Sequence, residues 1–460
     1  MSFNEQTIIA QCTPQGSGAI ALIRLSGTDA VLIASKFSKF PGKQSLLDKT
    51  SHTIHYGQII NKEQELVDQA MFIVMFAPRT FTGEHVVEIT CHNNPFIIDT
   101  IINLAIINGA RLAQKGEFAQ RAFLNNKIDL TQAEAINSLI HAHTEQALKK
   151  SLSQLNGELA EWSTQIEKQL LRSIAWCEAS FEFIDEEMDF TPQIKNELTN
   201  VILNIEQAQQ SHNIQQQIKD GVRIAIIGSV NAGKSSLFNA LLKKDRAIVT
   251  PIAGTTRDVI EAGIYTNQHY MTIVDTAGLR QTDDQIEQLG IAKSFTEARL
   301  ADIILLTFDA SRNMTPAELQ VYQDLLDQFK DKIILVANKS DLIGTATVHD
   351  QALGPVKTAA IGISTNTKVG LPELETAIQN KINLILEQDT APFLLNQRQF
   401  NILSSVRKSC HDILKMLATP EFELISLHLN ETLQILSNLS GKTVTENSLE
   451  TIFREFCVGK

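Results

Sequence analysis

The stretch Gly228-Ser-Val-Asn-Ala-Gly-Lys-Ser235 spaces two glycines, a lysine and a serine so that successive backbone N–H groups can converge on phosphate oxygens. Asn231, Ala232, Gly233, Lys234, Ser235 and Ser236 are the expected contacts, with Lys234 neutralising the outer phosphates and the Ser235 hydroxyl taking a Mg²⁺ position. Asp275-Thr-Ala-Gly278 closes the apolar run Met271–Val274. Asp275, Thr276, Ala277 and Gly278 are therefore expected beside the metal and the terminal phosphate. Asn338, Lys339, Ser340 and Asp341 close another run, and the Asp341 carboxylate can accept two donors that guanine presents and adenine does not. Ser364, Thr365 and Asn366 are expected to add the last contact to the base. The polar segment Thr250, Pro251, Ile252, Ala253, Gly254, Thr255 and Thr256 has the character of a switch loop, in which Thr256 completes the Mg²⁺ shell. Leu279 stands where a glutamine would orient an attacking water. Asn231 and Glu287 are the candidates to compensate; as residues alone they read more readily as a cap and a solvated helix charge.

Positioning these residues takes strands that end where the motifs begin. Runs at Arg223–Ile227, Met271–Val274, Ile303–Phe308 and Lys332–Ala337 alternate with helical stretches, which predicts a parallel sheet covered on both faces. Strand-like runs at Ala19–Arg24, Ala70–Phe76 and Val86–Thr90 predict a smaller α/β domain between Thr7 and about Lys127. From Thr131, the apolar residues Leu148, Leu152, Leu155, Leu159, Trp162 and Ile166 step by three and four, predicting one long bundle helix. Helical pattern returns at Gln399–Leu417 and Phe422–Leu439, so a helical domain is interrupted by the nucleotide-type domain. The expected division is 1–128, 129–218, 219–384 and 385–460.

A formal charge of -12 disfavours direct nucleic-acid binding except at local patches or through a basic partner. The N-terminus carries no basic leader, and the apolar stretch Phe96–Ala105 is interrupted by Asp99 and Asn103, so a cytoplasmic protein without a membrane span is expected. Five cysteines without a C-x-x-C pair argue against a disulfide framework or a structural zinc; Cys12, Cys91, Cys177 and Cys410 sit in apolar patterns and are expected in the core. The fifth, Cys457, lies in Phe456-Cys-Val-Gly-Lys460. Gly459 and Lys460 make this a poor prenylation signal, and Leu449, Ile452, Phe453 and Phe456 predict a last amphipathic helix with Cys457 at its C-terminal end.

The order of these motifs, together with Thr80-Phe-Thr-Gly-Glu84 and the run Gly116–Leu130, resembles the MnmE (TrmE) family of tRNA-modification GTPases along essentially the whole chain. The resemblance implies an α/β plus all-α fold: an N-terminal tetrahydrofolate-binding and dimerisation domain, and a helical domain interrupted by a Ras-like G domain. It implies GTP hydrolysis with Mg²⁺ at Ser235 and Thr256. K⁺, held by Asn231, Thr250, Ile252 and Thr255, would do the work of an arginine finger, while Glu287 orients the water. It further implies a homodimer whose G domains meet on GTP binding, an FAD-containing partner MnmG (GidA), and tRNA as substrate. The wobble uridine would gain an aminomethyl or carboxymethylaminomethyl group at C5 from 5-formyl- or methylene-tetrahydrofolate. Arg24, Glu84, Lys127 and Lys460 are the implied folate contacts, the carboxylate for the pterin's amino edge and the cations for the glutamate tail, with Cys457 beside them as catalytic thiol. The chain departs from the family at His92-Asn-Asn94, where His-Gly-Gly is expected, which puts folate contacts from that segment in question.

Overall fold

Alternating burial along successive strands builds the first sheet, as period-2 patterning demands when one face meets a core. The computed structural model describes residues 6–182, 189–210, 217–218, 221–242, 260–265, 270–275, 295–342, 360–386, 391, 393–444, 446–456 and 458–459. Strands β1 (Ile8–Gln11), β2 (Ile20–Ser26), β3 (Ser38–Lys39), β4 (Thr53–Ile60), β5 (Leu66–Met75), β6 (Val86–His92) and β7 (Arg111–Leu112) assemble in the order β3-β4-β5-β6-β2-β1-β7. All neighbours are antiparallel except β1 and β7. Helices α1 (Ala30–Ser35) and α2 (Pro95–Ile107) contribute Ile33, Ile98 and Ile101 to the core over one face, with Ile23, Phe72 and Ile89 from the strands. On the other face, α3 (Glu117–Leu124) inserts Phe118 against Ile8 and Ala10.

The helices that follow are α4 (Leu130–Ile140), α5 (Glu145–Leu155), α6 (Glu158–Glu182) and α7 (Thr191–Gln210). The single long helix expected from the 148–166 stripe is thus two. Gly157 adopts φ +102°, a left-handed conformation that ends one helix and lets the next begin. The stripe also divides: Leu159 and Ile166 are buried, while Leu148 and Leu152 are 41% and 42% exposed.

The second sheet comprises β8 (Val222–Gly228), β9 (Ile260–Tyr265), β10 (Tyr270–Asp275), β11 (Ile303–Asp309), β12 (Ile333–Asn338) and β13 (Ile361–Gly362), in the order β13-β12-β11-β8-β10-β9. It is parallel as expected, except that β9 runs antiparallel to β10 at the edge. Every residue of β11 is buried, because helices cover both faces. Helices α8 (Lys234–Leu242) and α10 (Leu371–Leu386) pack Leu237, Leu374 and Ile378 on one side; α9 (Pro316–Phe329) packs Tyr322 and Leu325 on the other. The chain closes with α11 (Gln397–Met416), α12 (Phe422–Ser440) and α13 (Glu446–Phe453). Among the described residues no helix is long and apolar enough to cross a membrane.

Contacts divide the chain into two compact units, Met1–Asn137 with Ser153–Ile202 and Asn401–Lys460, and Ser138–Leu152 with Leu203–Phe400. Within the first, Leu449 and Phe453 of α13, with Phe456 just after it, pack against Ala119 of α3 and Leu130 and Ala133 of α4. Gly116 makes this close approach possible. Its φ is +69°, and a Cβ there would lie 2.4 Å from the Phe453 carbonyl oxygen. The last helix stops at Phe453, and Phe456 is buried just beyond it.

Candidate functional site

In the second unit the phosphate loop joins β8 to α8, the strand–loop–helix context that its spacing predicts. Gly228 lies so close to β11 that a Cβ would stand 2.0 Å from the Thr307 carbonyl oxygen. Gly233, at φ +88°, would drive one to 2.1 Å from Asn338 Nδ2. Ser235 and Ser236 are exposed in the first turn of α8, where backbone N–H groups lack intrahelical partners. The Lys234 ammonium donates to the Gly228 and Ser229 carbonyls, 2.8 Å each. Asp275 closes β10 in register with Ile226 of β8, so the backbone sets it next to the loop.

Asn338 joins the guanine motif to this loop. Wholly buried, it donates from Nδ2 to the Ala232 carbonyl (2.9 Å), and its Oδ1 accepts from Lys339 N (2.8 Å) and Thr365 N (3.4 Å). Its side chain is engaged at both ends within the protein and braces the two loops against each other. Lys339 pairs with Asp309 at 2.6 Å. Burial would raise the Asp309 carboxyl, but hydrogen bonds from Lys339 and Ser311 outweigh it and hold it below its ordinary value. Asp341 is exposed on the short turn Ser340–Leu342, while Ser364 is buried with its hydroxyl accepting from Thr367 N at 3.1 Å. The structure thus brings Asn231–Ser236, Asn338–Asp341 and Ser364–Asn366 together. Thr250, Pro251, Ile252, Ala253, Gly254, Thr255, Thr256, Thr276, Ala277, Gly278 and Glu287 lie outside the described residues, as do Cys457 and Lys460.

In the first unit Arg24, Glu84 and Lys127 gather around α3. The Arg24 guanidinium pairs with Glu88 (2.6 Å) and lies 5.6 Å from the centre of the Phe118 ring. Lys127 Nζ donates to the Pro78 carbonyl at 2.9 Å. Glu84 is tied into a network that the sequence did not single out. Arg121, 3% exposed, donates to both Glu84 oxygens at 3.0 Å, to Glu117 at 3.0 Å and to the Gln6 carbonyl at 2.7 Å. Glu117 also accepts from Arg111 at 2.8 Å and from Gln114 N at 2.9 Å, and Ser26 donates to Glu84 at 2.7 Å. Two carboxylates and two guanidinium groups therefore neutralise each other under cover. The signal available in the sequence was the acid–base pair at i, i+4 in Glu117-Phe-Ala-Gln-Arg121.

The divergent asparagines have structural work. Asn94 Oδ1 accepts from Phe96 N (2.9 Å) and caps α2, and Asn93 Nδ2 donates to the Gly16 carbonyl (2.8 Å). His92 pairs with buried Asp68 at 2.7 Å. Cys12 corrects the core expectation: it is half-buried, and its Sγ donates to the Gly459 carbonyl at 3.2 Å. Gly459, at φ +92°, lies where a Cβ would be 2.7 Å from the Gln11 carbonyl oxygen and 2.8 Å from Cys12 Cα. Gly459 is thus seated on the end of β1, which pairs Ala10 with Arg24 on β2. Burial pushes the Cys91 and Cys177 thiols up to about 11 and that of Cys410 to about 12, as expected of inert core cysteines.

The family model described as "MnmE helical domain" matches residues 130–457, and that described as "GTP-binding protein TrmE N-terminus" matches 7–127. The chain is 36% identical over 463 residues to the tRNA modification GTPase MnmE of Lysinibacillus sphaericus, covering 99% of each. Against the protein of that name from Aquifex aeolicus it is 37% identical over 459 residues, covering 99% of this chain and 100% of that one. Against the Bacillus subtilis protein the identity is 35% over 464 residues, covering 99% and 100%.

Burial would raise the Glu117 carboxyl, but the hydrogen bonds from Arg111 and Gln114 N and the charges of Arg111 and Arg121 hold it below its ordinary 4.5. The folded protein therefore binds this proton more weakly than the unfolded chain. The resulting stabilisation is complete above the ordinary value and is lost as pH falls through it toward the folded one. Glu117→Gln should cost about 3–5 kcal/mol in urea unfolding at pH 7, because two arginines lose a buried partner, and should flatten the acid dependence of stability. A variant as stable as the parent, with the same acid slope, contradicts this assignment.

Proposed function

The chain belongs to the tRNA modification GTPase MnmE family, and from that premise we propose that it couples GTP hydrolysis to modification of the wobble uridine of certain tRNAs at C5. The observation that carries the GTPase half is the Asn338–Ala232 hydrogen bond, which joins a guanine-reading loop to a phosphate loop at the ends of β12 and β8. The residues suit a nucleotide: left-handed Gly233 opens the first turn of α8, and the exposed hydroxyls of Ser235 and Ser236 stand beside its N–H groups. In this reading Lys234 neutralises the outer phosphates and Asp341 selects guanine. Ser235 and Thr256 hold Mg²⁺, while Asn231 with oxygens of Thr250, Ile252 and Thr255 holds K⁺ and Glu287 orients the water. The monovalent cation supplies positive charge beside the phosphates, where an arginine finger would otherwise stand.

The modification half rests on the first unit. Arg24, Glu84 and Lys127 gather around α3, Gly459 is seated on β1, and Lys460 is assigned to the same site by the family resemblance. These cations suit the glutamate tail of a 5-formyl- or methylene-tetrahydrofolate. Glu84, held by hydrogen bonds from Arg121 and Ser26, suits the amino edge of its pterin. Tetrahydrofolate supplies the one-carbon unit when bound, and Cys457 serves as nucleophile or proton carrier next to it. We assign the N-terminal domain to 1–128, the G domain to 219–384 and the helical domain to 129–218 with 385–460. The working form is a homodimer, in the cytoplasm, with an FAD-dependent partner of the MnmG (GidA) kind. Closure of paired G domains around K⁺ drives the cycle.

Mass spectrometry of nucleosides from cells lacking this chain should show wobble uridines without their C5 group; unchanged nucleosides end the proposal. Replacing K⁺ by Na⁺ should slow GTP turnover by an order of magnitude or more, about the weight of one fixed charge on the transition state. Equal rates in the two salts remove the role given to Asn231.

A further inference from the structure

The Tyr322 hydroxyl bridges the first peptide group of the phosphate loop to the backbone of β11. It accepts from Ser229 N at 2.9 Å and donates to the Thr307 carbonyl at 2.6 Å. The ring is 3% exposed and packs with Phe308, Leu325 and Leu326, so the hydroxyl has no freedom to move away. Burial pushes the phenol above its ordinary value, which keeps on the oxygen the proton that Thr307 receives.

Ser229 is the first residue of the loop after Gly228, and each of its polar groups is held from a different direction. Its N–H meets Tyr322, its carbonyl accepts from the Lys234 ammonium at 2.8 Å, and its hydroxyl accepts from Arg312 at 3.4 Å. With this first amide tied off, the donors left for phosphate begin further along the loop. The peptide that Tyr322 fixes is thus the one on which the phosphate-binding lysine rests. The packing here has no slack, because a Cβ on Gly228 would stand 3.1 Å from the Tyr322 hydroxyl.

We propose that Tyr322 is a positioning residue for nucleotide binding: through Ser229 its hydroxyl fixes the loop backbone and the starting position of Lys234. It touches no nucleotide atom and acts only by holding the loop in its binding form. Tyrosine is needed rather than phenylalanine because both Ser229 N–H and Thr307 C=O would otherwise be left buried without this partner.

The test compares the intact chain with Tyr322→Phe and Tyr322→Leu, using a fluorescent GDP analogue, GTP turnover and thermal unfolding. Tyr322→Phe keeps the ring and should raise the dissociation constant for the GDP analogue about three- to tenfold, the span expected for one net hydrogen bond. The loss in GTP turnover should fall mainly on KM. Tyr322→Leu should bind at least as weakly. If Tyr322→Phe binds like the parent while only Tyr322→Leu is weakened, ring packing and not the hydroxyl is responsible, and the proposal fails. It fails equally if Tyr322→Phe lowers the unfolding temperature but leaves affinity and KM unchanged.

Discussion

The first unit depends on the contact that seats the end of the chain on its beginning. Gly116 has no Cβ, and only for that reason can the Phe453 carbonyl and the Phe456 side chain approach the start of α3. From that seat, α13 closes an apolar cluster with α3 and α4, and Gly459 comes to rest against Gln11 and Cys12. Phe118, the third residue of the run that begins at Gly116, is buried against β1, and Arg121 on the same helix reaches Glu84. A single short helix therefore receives the C-terminal segment, packs on the sheet and orders the polar residues around Arg24. A side chain at Gly116 would disturb all three, since a left-handed residue with a methyl group carries strain of about 1–3 kcal/mol before any clash is counted.

Charge obeys the same economy of space. Arg121 and Glu117 are almost fully buried, where an isolated charge would be intolerable, and they persist because each is bonded to opposite charge and to backbone. Asn338 and Tyr322 do the corresponding work with neutral groups in the second unit. In both units, buried polar side chains are fixed by partners within the protein.

Much of the second unit was legible in the sequence because its signals are local. A buried parallel strand must be a continuous apolar run, and a phosphate loop must place glycine and lysine at fixed offsets, so β8, β10, β11 and β12 and the loop after β8 are where the residues put them. The edge strand β9 was not legible. Its side-by-side partner decides its direction, and no local pattern encodes an antiparallel edge. The helical stripe was over-read because a glycine within a helical pattern can be tolerated or can end it, and only tertiary packing chose the latter at Gly157.

The N-terminal site was legible only in part. Arg24, Glu84 and Lys127 could be named through motifs, but the partners Arg121, Glu117 and Arg111 required knowing which face of α3 meets the sheet. The contact of Cys12 with Gly459 joins residues at opposite ends of the chain, and Cys12 looked like a core cysteine because hydrophobic patterning cannot see that far.

The central claim is that the tail must lie on β1 to complete a one-carbon site. Gly459→Val tests it most directly, because it keeps Cys457 and Lys460 while placing a side chain where Gln11 and Cys12 already stand. By calorimetry, affinity for 5-formyl-tetrahydrofolate should fall by about tenfold or more, as expected for groups displaced from a working geometry, with GDP affinity unaffected. Folate affinity equal to that of the parent would contradict the claim.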